Sequence, residues 1–266
     1  MDVIRPFVTS KWAWMLLAAG VLWCASDRVR NVLVRDPRFM ADPARLRLGG
    51  PSPEVVEPVE RRLRALGRLS LFDPRFEEKL RGALEEVPVV ASVESVRRKW
   101  PNRYSVALRY HRPAAVVVEG EHAVPVTAAG LALPLEPYRA SLAGLPRIEG
   151  VDRAPPRPGR PWHSESLKDA LATVAQLSAH RDELAALGLA VIDVRGAGDP
   201  LQGVVLRGRD GIVVRWGRPR ATVGENPVSR KVAYLRIAAR HIEQVRGQEI
   251  DVRYGRALYL RESSAP

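Results

Sequence analysis

Ile250-Asp251-Val252-Arg253-Tyr254-Gly255-Arg256-Ala257-Leu258-Tyr259-Leu260 lies just before the end of the chain. Ile250, Val252 and Tyr254 alternate with Asp251 and Arg253, which is the period of a half-buried strand. Gly255 interrupts the pattern, and residues 257–260 read as a second, more apolar strand. A strand this close to a terminus is expected at the edge of its sheet. An edge exposes unpaired backbone donors and acceptors, to which an extended partner segment can pair. The same strand can also do no more than close the sheet against the preceding helix. The residues alone leave both readings open.

Outward from this stretch the pattern is mostly β. Asn226-Pro227 caps a predicted long helix, with Val228, Val232, Leu235, Ala238, Ile242 and Val245 on one stripe and Gly247 at its end. Arg209-Asp210-Gly211 reads as a hairpin turn into residues 212–216, after strands at 191–194 and 203–206. An earlier helix has Ser164 or Ser166 as cap, with Leu167, Leu171, Val174, Leu177 and Leu184 inward. A proline-rich loop covers 154–161, and short strands are expected at 114–118, 122–126 and 131–133. These elements make a β-rich domain with flanking helices over 114–260, with a tail at 261–266.

Residues 44–113 read as a separate small unit. A short strand is expected at 44–48. Ser52-Pro53 then starts a helix carrying Val55, Val56, Val59, Leu63 and Leu66, which Gly67 stops. Pro58 falls inside it, so a kink or a later start is expected. Asp73-Pro74 repeats the cap signal for a helix with Phe76, Leu80 and Leu84 inward. Two strands follow, at 89–98 and 103–111, joined by a turn at Trp100-Pro101-Asn102. The order is βααββ, and a three-stranded sheet with two helices on one face is its simplest closure. Trp100 and Pro101 are expected to be structural. If the ring covers the open end of the core, Trp100→Ala should cost about 2–4 kcal/mol.

Residues 1–11 form a short lead, and an apolar run of about 14 residues follows from Trp12 to Ala25. That is shorter than the roughly 20 residues of a spanning helix. Terminal tryptophans, a Lys11 able to snorkel and the lack of a small-residue cleavage site nevertheless point to an uncleaved anchor over 12–27. Its apolar and interfacial residues are Trp12, Trp14, Leu16, Leu17, Val21, Leu22 and Trp23. A mixed-charge connector over 28–43 carries Arg28, Arg30, Arg35 and Arg38. Counting these against Arg5 and Lys11 opposes export of the body, although long domains translocate largely regardless of charge. The expected fold class is therefore α+β: an N-terminal membrane helix, the small βααββ domain and the β-rich domain.

The net charge is +12. The basic residues are mostly arginine and spread along the chain, without a dense tract or interleaved aromatic platform, so no nucleic-acid partner is expected. Cys24 is the only cysteine, which allows no intrachain disulfide and leaves the compartment open. His111, His122, His163, His180 and His241 are scattered, and no pair stands at metal-ligand spacing. No glycine-rich phosphate loop opens a helix. Ser164 and Ser166 are better read as caps than as nucleophiles. No catalytic, cofactor or metal site is expected.

The ordered motifs resemble the bacterial cell-division family FtsQ/DivIB, and residues 44–113 resemble its POTRA domain. The residues that carry the resemblance are Leu71-Phe72-Asp73, the valine-rich strand with Val89, Val93 and Val96 running into Arg98-Lys99-Trp100-Pro101, and Arg112-Pro113. Further on they are Ala129-Gly130 to Pro134, Leu145-Pro146 to Gly150, Trp216-Gly217 and residues 250–254. The lead, the apolar run and the final turn are all short for the family. The resemblance implies a non-catalytic, single-pass inner-membrane protein at the division septum, its body outside the cytoplasm. It would bind the extracytoplasmic parts of FtsB and FtsL, and other division proteins besides. The implied docking residues are Arg253, Tyr254, Arg256, Ala257, Leu258, Tyr259 and Leu260. Another reading is a POTRA-bearing envelope protein that handles peptides in outer-membrane assembly or secretion. Such proteins usually carry a C-terminal barrel, and no series of membrane-length alternating strands is present.

Overall fold

Helix α1 (Lys11–Arg35) runs on well past the apolar stretch that suggested it. Its about 14 apolar residues rise about 21 Å, short of the roughly 30 Å of a bilayer core. The helix then continues through Asp27, Arg28 and Arg30. Among the described residues no helix is long and apolar enough to cross a membrane, so the expected membrane helix is corrected to a helix of mixed character. Leu16, Val21 and Trp23 on it are exposed. Trp12, Trp14, Leu17 and Leu22 belong to it, with side chains outside the described set. The computed structural model describes residues 11–43, 46, 48–199, 201–219, 224–255 and 259–262.

The architecture is α+β, and the chain divides into two units, residues 1–110 and 111–266. In the first, β1 (Met40–Ala41) precedes α2 (Pro53–Leu66), β2 (Leu69–Ser70), α3 (Phe76–Glu85), β3 (Val90–Lys99) and β4 (Arg103–Tyr110). Gly67 ends α2 at φ 69°, a conformation that costs a Cβ-bearing residue energy. Pro58 sits within α2 and the helix runs through it, so the expected late start does not occur. Instead of one three-stranded sheet there are two antiparallel pairs, β1 with β2 and β3 with β4. The strand expected at 44–48 falls largely outside the described residues. Val55, Val59, Leu63, Phe76, Leu80, Leu84, Val89 and Tyr104 form the buried interior, with the Phe76 and Tyr104 rings edge to face at 5.5 Å.

Two aromatic positions refine this picture. Trp100 is 67% exposed and so does not plug the core as expected. Its ring instead lies beside Phe39 and Phe72, at 5.2 and 5.3 Å. With most of the ring in solvent, Trp100→Ala should cost only about 1–2 kcal/mol, roughly its two aromatic contacts. Urea unfolding of the chain checks this, and a loss above about 3 kcal/mol would restore the core-plug reading. Tyr104 is buried, and its hydroxyl has no hydrogen-bond partner among the described residues. Burial, then the charge of Asp42, pushes its pKa up to about 12. The folded state therefore favours the neutral phenol. That contribution is complete below the unfolded value of about 10 and is lost as pH rises through that range. Tyr104→Phe should be neutral or stabilising by about 1 kcal/mol near pH 7. Its advantage over the parent should widen above pH 10 in thermal melts.

In the second unit the elements are β5 (Ala115–Glu119), β6 (His122–Val126), β7 (Arg147–Glu149), α4 (Glu165–Leu177), α5 (Arg181–Ala186), β8 (Leu189–Asp193), β9 (Val204–Gly208), β10 (Val213–Gly217), α6 (Val228–Arg240), α7 (Ile242–Val245), β11 (Gln248–Asp251) and β12 (Tyr259–Glu262). The strands form one mixed eight-stranded sheet in the order β12-β11-β10-β9-β8-β7-β5-β6. Parallel pairs β7–β8 and β10–β11 need long crossovers, which α4–α5 and α6–α7 supply. Leu167, Leu171, Val232, Leu235 and Ala238 of these helices join Ile148, Ile192, Leu206, Val214, Trp216 and Ile250 of the sheet in one core. Elsewhere on the sheet, ion pairs cross adjacent strands, Arg207 to Asp193 at 2.9 Å and Arg215 to Glu249. Leu131 and Ala132 make isolated bridges, to Pro161 and Val126, in place of the strand expected at 131–133. The helix expected to reach Gly247 breaks at His241 into α6 and α7.

Candidate functional site, the open edge of the large sheet

The two edges of the eight-stranded sheet are built differently. On the β6 edge, Pro125 has no N–H to offer, and its carbonyl accepts from Leu133 N–H at 2.8 Å. Thr127 N–H likewise donates to Leu131 at 3.0 Å. That edge is blunted by a proline and covered by a loop. The opposite edge is β12, which pairs antiparallel with β11 through Gln248↔Glu262, Glu249↔Arg261, Ile250↔Leu260 and Asp251↔Tyr259. Among the described residues no strand lies beyond it.

Backbone alternation shows which groups face outward. Val252 N–H donates to the Arg215 carbonyl at 3.4 Å, so Val252, Ile250 and Gln248 turn their backbone groups toward β10. Glu249 and Asp251 therefore face β12, where they bond Arg261 and Tyr259. The N–H and C=O groups of Leu260 and Glu262 face away from β11, and among the described residues no strand pairs with them.

Arg253 and Tyr254 end up on faces opposite to those their alternation implied. The expected pattern put Tyr254 inward and Arg253 outward. In the structure Arg253 is only 8% exposed and Tyr254 is 42% exposed. The cause is local. The ladder of β11 ends at Asp251, whose carboxylate accepts Arg253 N–H at 3.0 Å, and this side-chain turn takes the chain out of strand period. The same carboxylate takes the Arg253 guanidinium at two points, Nε at 3.0 Å and Nη2 at 2.7 Å. Arg253 Nη1 also donates to the Leu201 carbonyl. Burial raises the Asp251 pKa, but the hydrogen bonds and charge of Arg253 outweigh it and hold the carboxyl below its usual range. The guanidinium stands 5.4 Å from the exposed Tyr254 ring, where it can orient the aromatic face.

A second layer holds this turn. Asn226 Nδ2 donates to the Val252 carbonyl at 3.1 Å, and Asn226 N–H donates to Arg253 at 2.6 Å. Gly217, at φ 83°, lies between Glu225 and Arg253; a Cβ there would stand 2.8 Å from the Glu225 carboxylate and 3.0 Å from Arg253 Cγ. Only glycine fits that gap. Lys231 Nζ donates to Glu225 at 2.9 Å and to the Trp216 carbonyl at 2.7 Å, with both charged side chains almost fully buried. No spacing motif in the sequence announces this pair. The available signal was a lysine on the apolar stripe of a helix, between Val228 and Leu235.

The remaining expected docking residues divide in two. Tyr259 and Leu260 lie in β12, while Arg256, Ala257 and Leu258 lie outside the described residues. The strand expected at 257–260 is thus found at 259–262. Ser164 caps α4, accepting Leu167 N–H at 3.0 Å, and Ser166 donates to Asp152 at 2.8 Å. The hydroxyls of Ser164 and Ser166 hold the Asp152 carboxyl below its usual range, which makes it a poor base. Compared with known proteins, the chain matches no family model, and no curated protein matches it significantly.

Proposed function

We propose that the chain is a non-catalytic docking protein of the bacterial division machinery, of the FtsQ/DivIB kind, which binds an extended segment of an FtsB/FtsL-like partner along β12. The open β12 edge, with the exposed Tyr254 ring just past the end of the adjoining β11, carries this reading. The contrast with the blunted β6 edge supports it, because proteins ordinarily protect edges that have no partner. Backbone pairing supplies affinity in such a mode, and an aromatic anchor at the rim supplies specificity. Arg253 acts from beneath, locked to Asp251 and positioning Tyr254.

The protein works at the septum, on the extracytoplasmic side of the inner membrane. A fluorescent fusion in dividing cells is expected to form a band at the division site. A reporter active only after export, fused behind Pro266, is expected to be active. Even fluorescence throughout the cell with an inactive reporter would defeat the division reading.

A further inference from the structure

We infer that the first unit carries a second docking surface, a basic-rimmed aromatic cluster that takes an acidic peptide segment with an aromatic side chain. Phe39, Phe72 and Trp100 come from three separate stretches: the short helical turn before β1, the turn after β2, and the β3–β4 turn. Their rings meet pairwise at 5.0, 5.2 and 5.3 Å, all steeply inclined. The buried interior of the unit, with Phe76 and Tyr104 at its centre, is complete without Trp100, two-thirds of which faces solvent. Phe39 and Phe72 are half-buried, so together with the exposed Trp100 ring they form a partly open apolar patch rather than a single exposed aromatic.

Charge identifies the occupant. Arg38 adjoins Phe39, and Lys99 and Arg103 face each other across the ladder on either side of Trp100-Pro101-Asn102. All three side chains are exposed, and among the described residues no ion pair engages them. The nearby carboxylates are already committed. Asp36 accepts Arg38 N–H, Asp73 holds Lys79 at 2.7 Å, and Glu77 faces Arg98 at 3.5 Å. The rim thus offers uncompensated cations around an apolar centre. Aromatic anchors rank among the strongest contributors in such interfaces, and complementary rim charges steer the encounter. A peptide is favoured over a lipid surface because the centre is a compact three-ring cluster with only three cations at its rim, which a short acidic segment with one aromatic side chain can fill.

The test uses the full chain and a fluorescein-labelled, glutamate-rich peptide of about a dozen residues with two phenylalanines, followed by anisotropy. Its controls replace phenylalanine by alanine, or glutamate by lysine. The acidic aromatic peptide is expected to bind about tenfold or more tighter than either control. Trp100→Ala, and separately Lys99→Glu with Arg103→Glu, should each weaken it about tenfold, with circular dichroism unchanged. Tyr254→Ala and Leu260→Pro should leave it intact, which separates this surface from the β12 edge. Parent-like binding by Trp100→Ala, equal binding of the lysine peptide, or loss in Leu260→Pro would each overturn the inference. So would Trp100-dependent sedimentation with phosphatidylserine vesicles in place of peptide binding.

Discussion

Lys231→Met is expected to destabilise the second unit by about 3–5 kcal/mol. Lys231 and Glu225 are 2% and 1% exposed, so neither charge has water to fall back on. Methionine fills most of the space of the lysine stem, so little cavity is left and the cost is chiefly electrostatic. It removes one donor each from the Glu225 carboxylate and the Trp216 carbonyl, at 2.9 and 2.7 Å. Breaking one partner of a buried pair is costly, whereas replacing both is often nearly neutral. Lys231→Met with Glu225→Gln should therefore recover most of the loss. Urea unfolding of the four proteins in the cycle measures the coupling. Additive effects of the two substitutions would show that the pair is not a unit.

The consequence reaches the proposed docking edge. Glu225 and Asn226 are consecutive, and Asn226 grips the backbone of Val252 and Arg253. The buried pair thus anchors the segment that sets the exit of β11. Acid should loosen the same turn by another route. The Asp251 carboxyl is held below its ordinary value, so its contribution is present at neutral pH and lost as pH falls through the acidic range below about 4. Partner binding should fail there before the core unfolds.

Much of the fold is legible in punctuation. Ser52-Pro53 and Gly67 bracket α2, Arg209-Asp210-Gly211 turns β9 into β10, and Ser164 caps α4, all as their local chemistry requires. What escapes the sequence depends on tertiary partners. Asp251 reads as the polar half of an alternation. It becomes a turn former because Arg253 can fold back on it and also reach the Leu201 carbonyl, 52 positions away in sequence. The register of β12 is set by pairing with β11, and Gly255 marks a break between the strands without fixing where the second one starts. The apolar residues of helix α1 suggest a span, yet helix formation tolerates the charges that follow them and a bilayer does not. Aromatic size suggests a core plug for Trp100, but its turn leaves the ring mostly exposed, against Phe39 and Phe72.

Leu260→Pro is expected to weaken partner binding by about 2 kcal/mol or more, roughly thirtyfold, while Leu260→Ala changes it little. The asymmetry follows from where the backbone points. In β12 the Leu260 N–H lies on the free side, so proline there removes a donor offered to the partner and spares the bonds to β11. Tyr259→Pro and Arg261→Pro strike donors that face β11, so they should disturb the hairpin itself and lower stability. Tyr254→Ala should cost about 2 kcal/mol of binding, since the ring stands exposed just past the end of β11 with Arg253 fixed against it. The measurement is the affinity of the chain for synthetic FtsB and FtsL extracytoplasmic segments, with circular dichroism of each variant to confirm folding. A folded Leu260→Pro variant that binds like the parent would mean that β12 closes the sheet and nothing more. The exposed Tyr254 ring would then have to dock its partner through side chains alone, and Tyr254→Ala would be the only one of these changes to lower affinity.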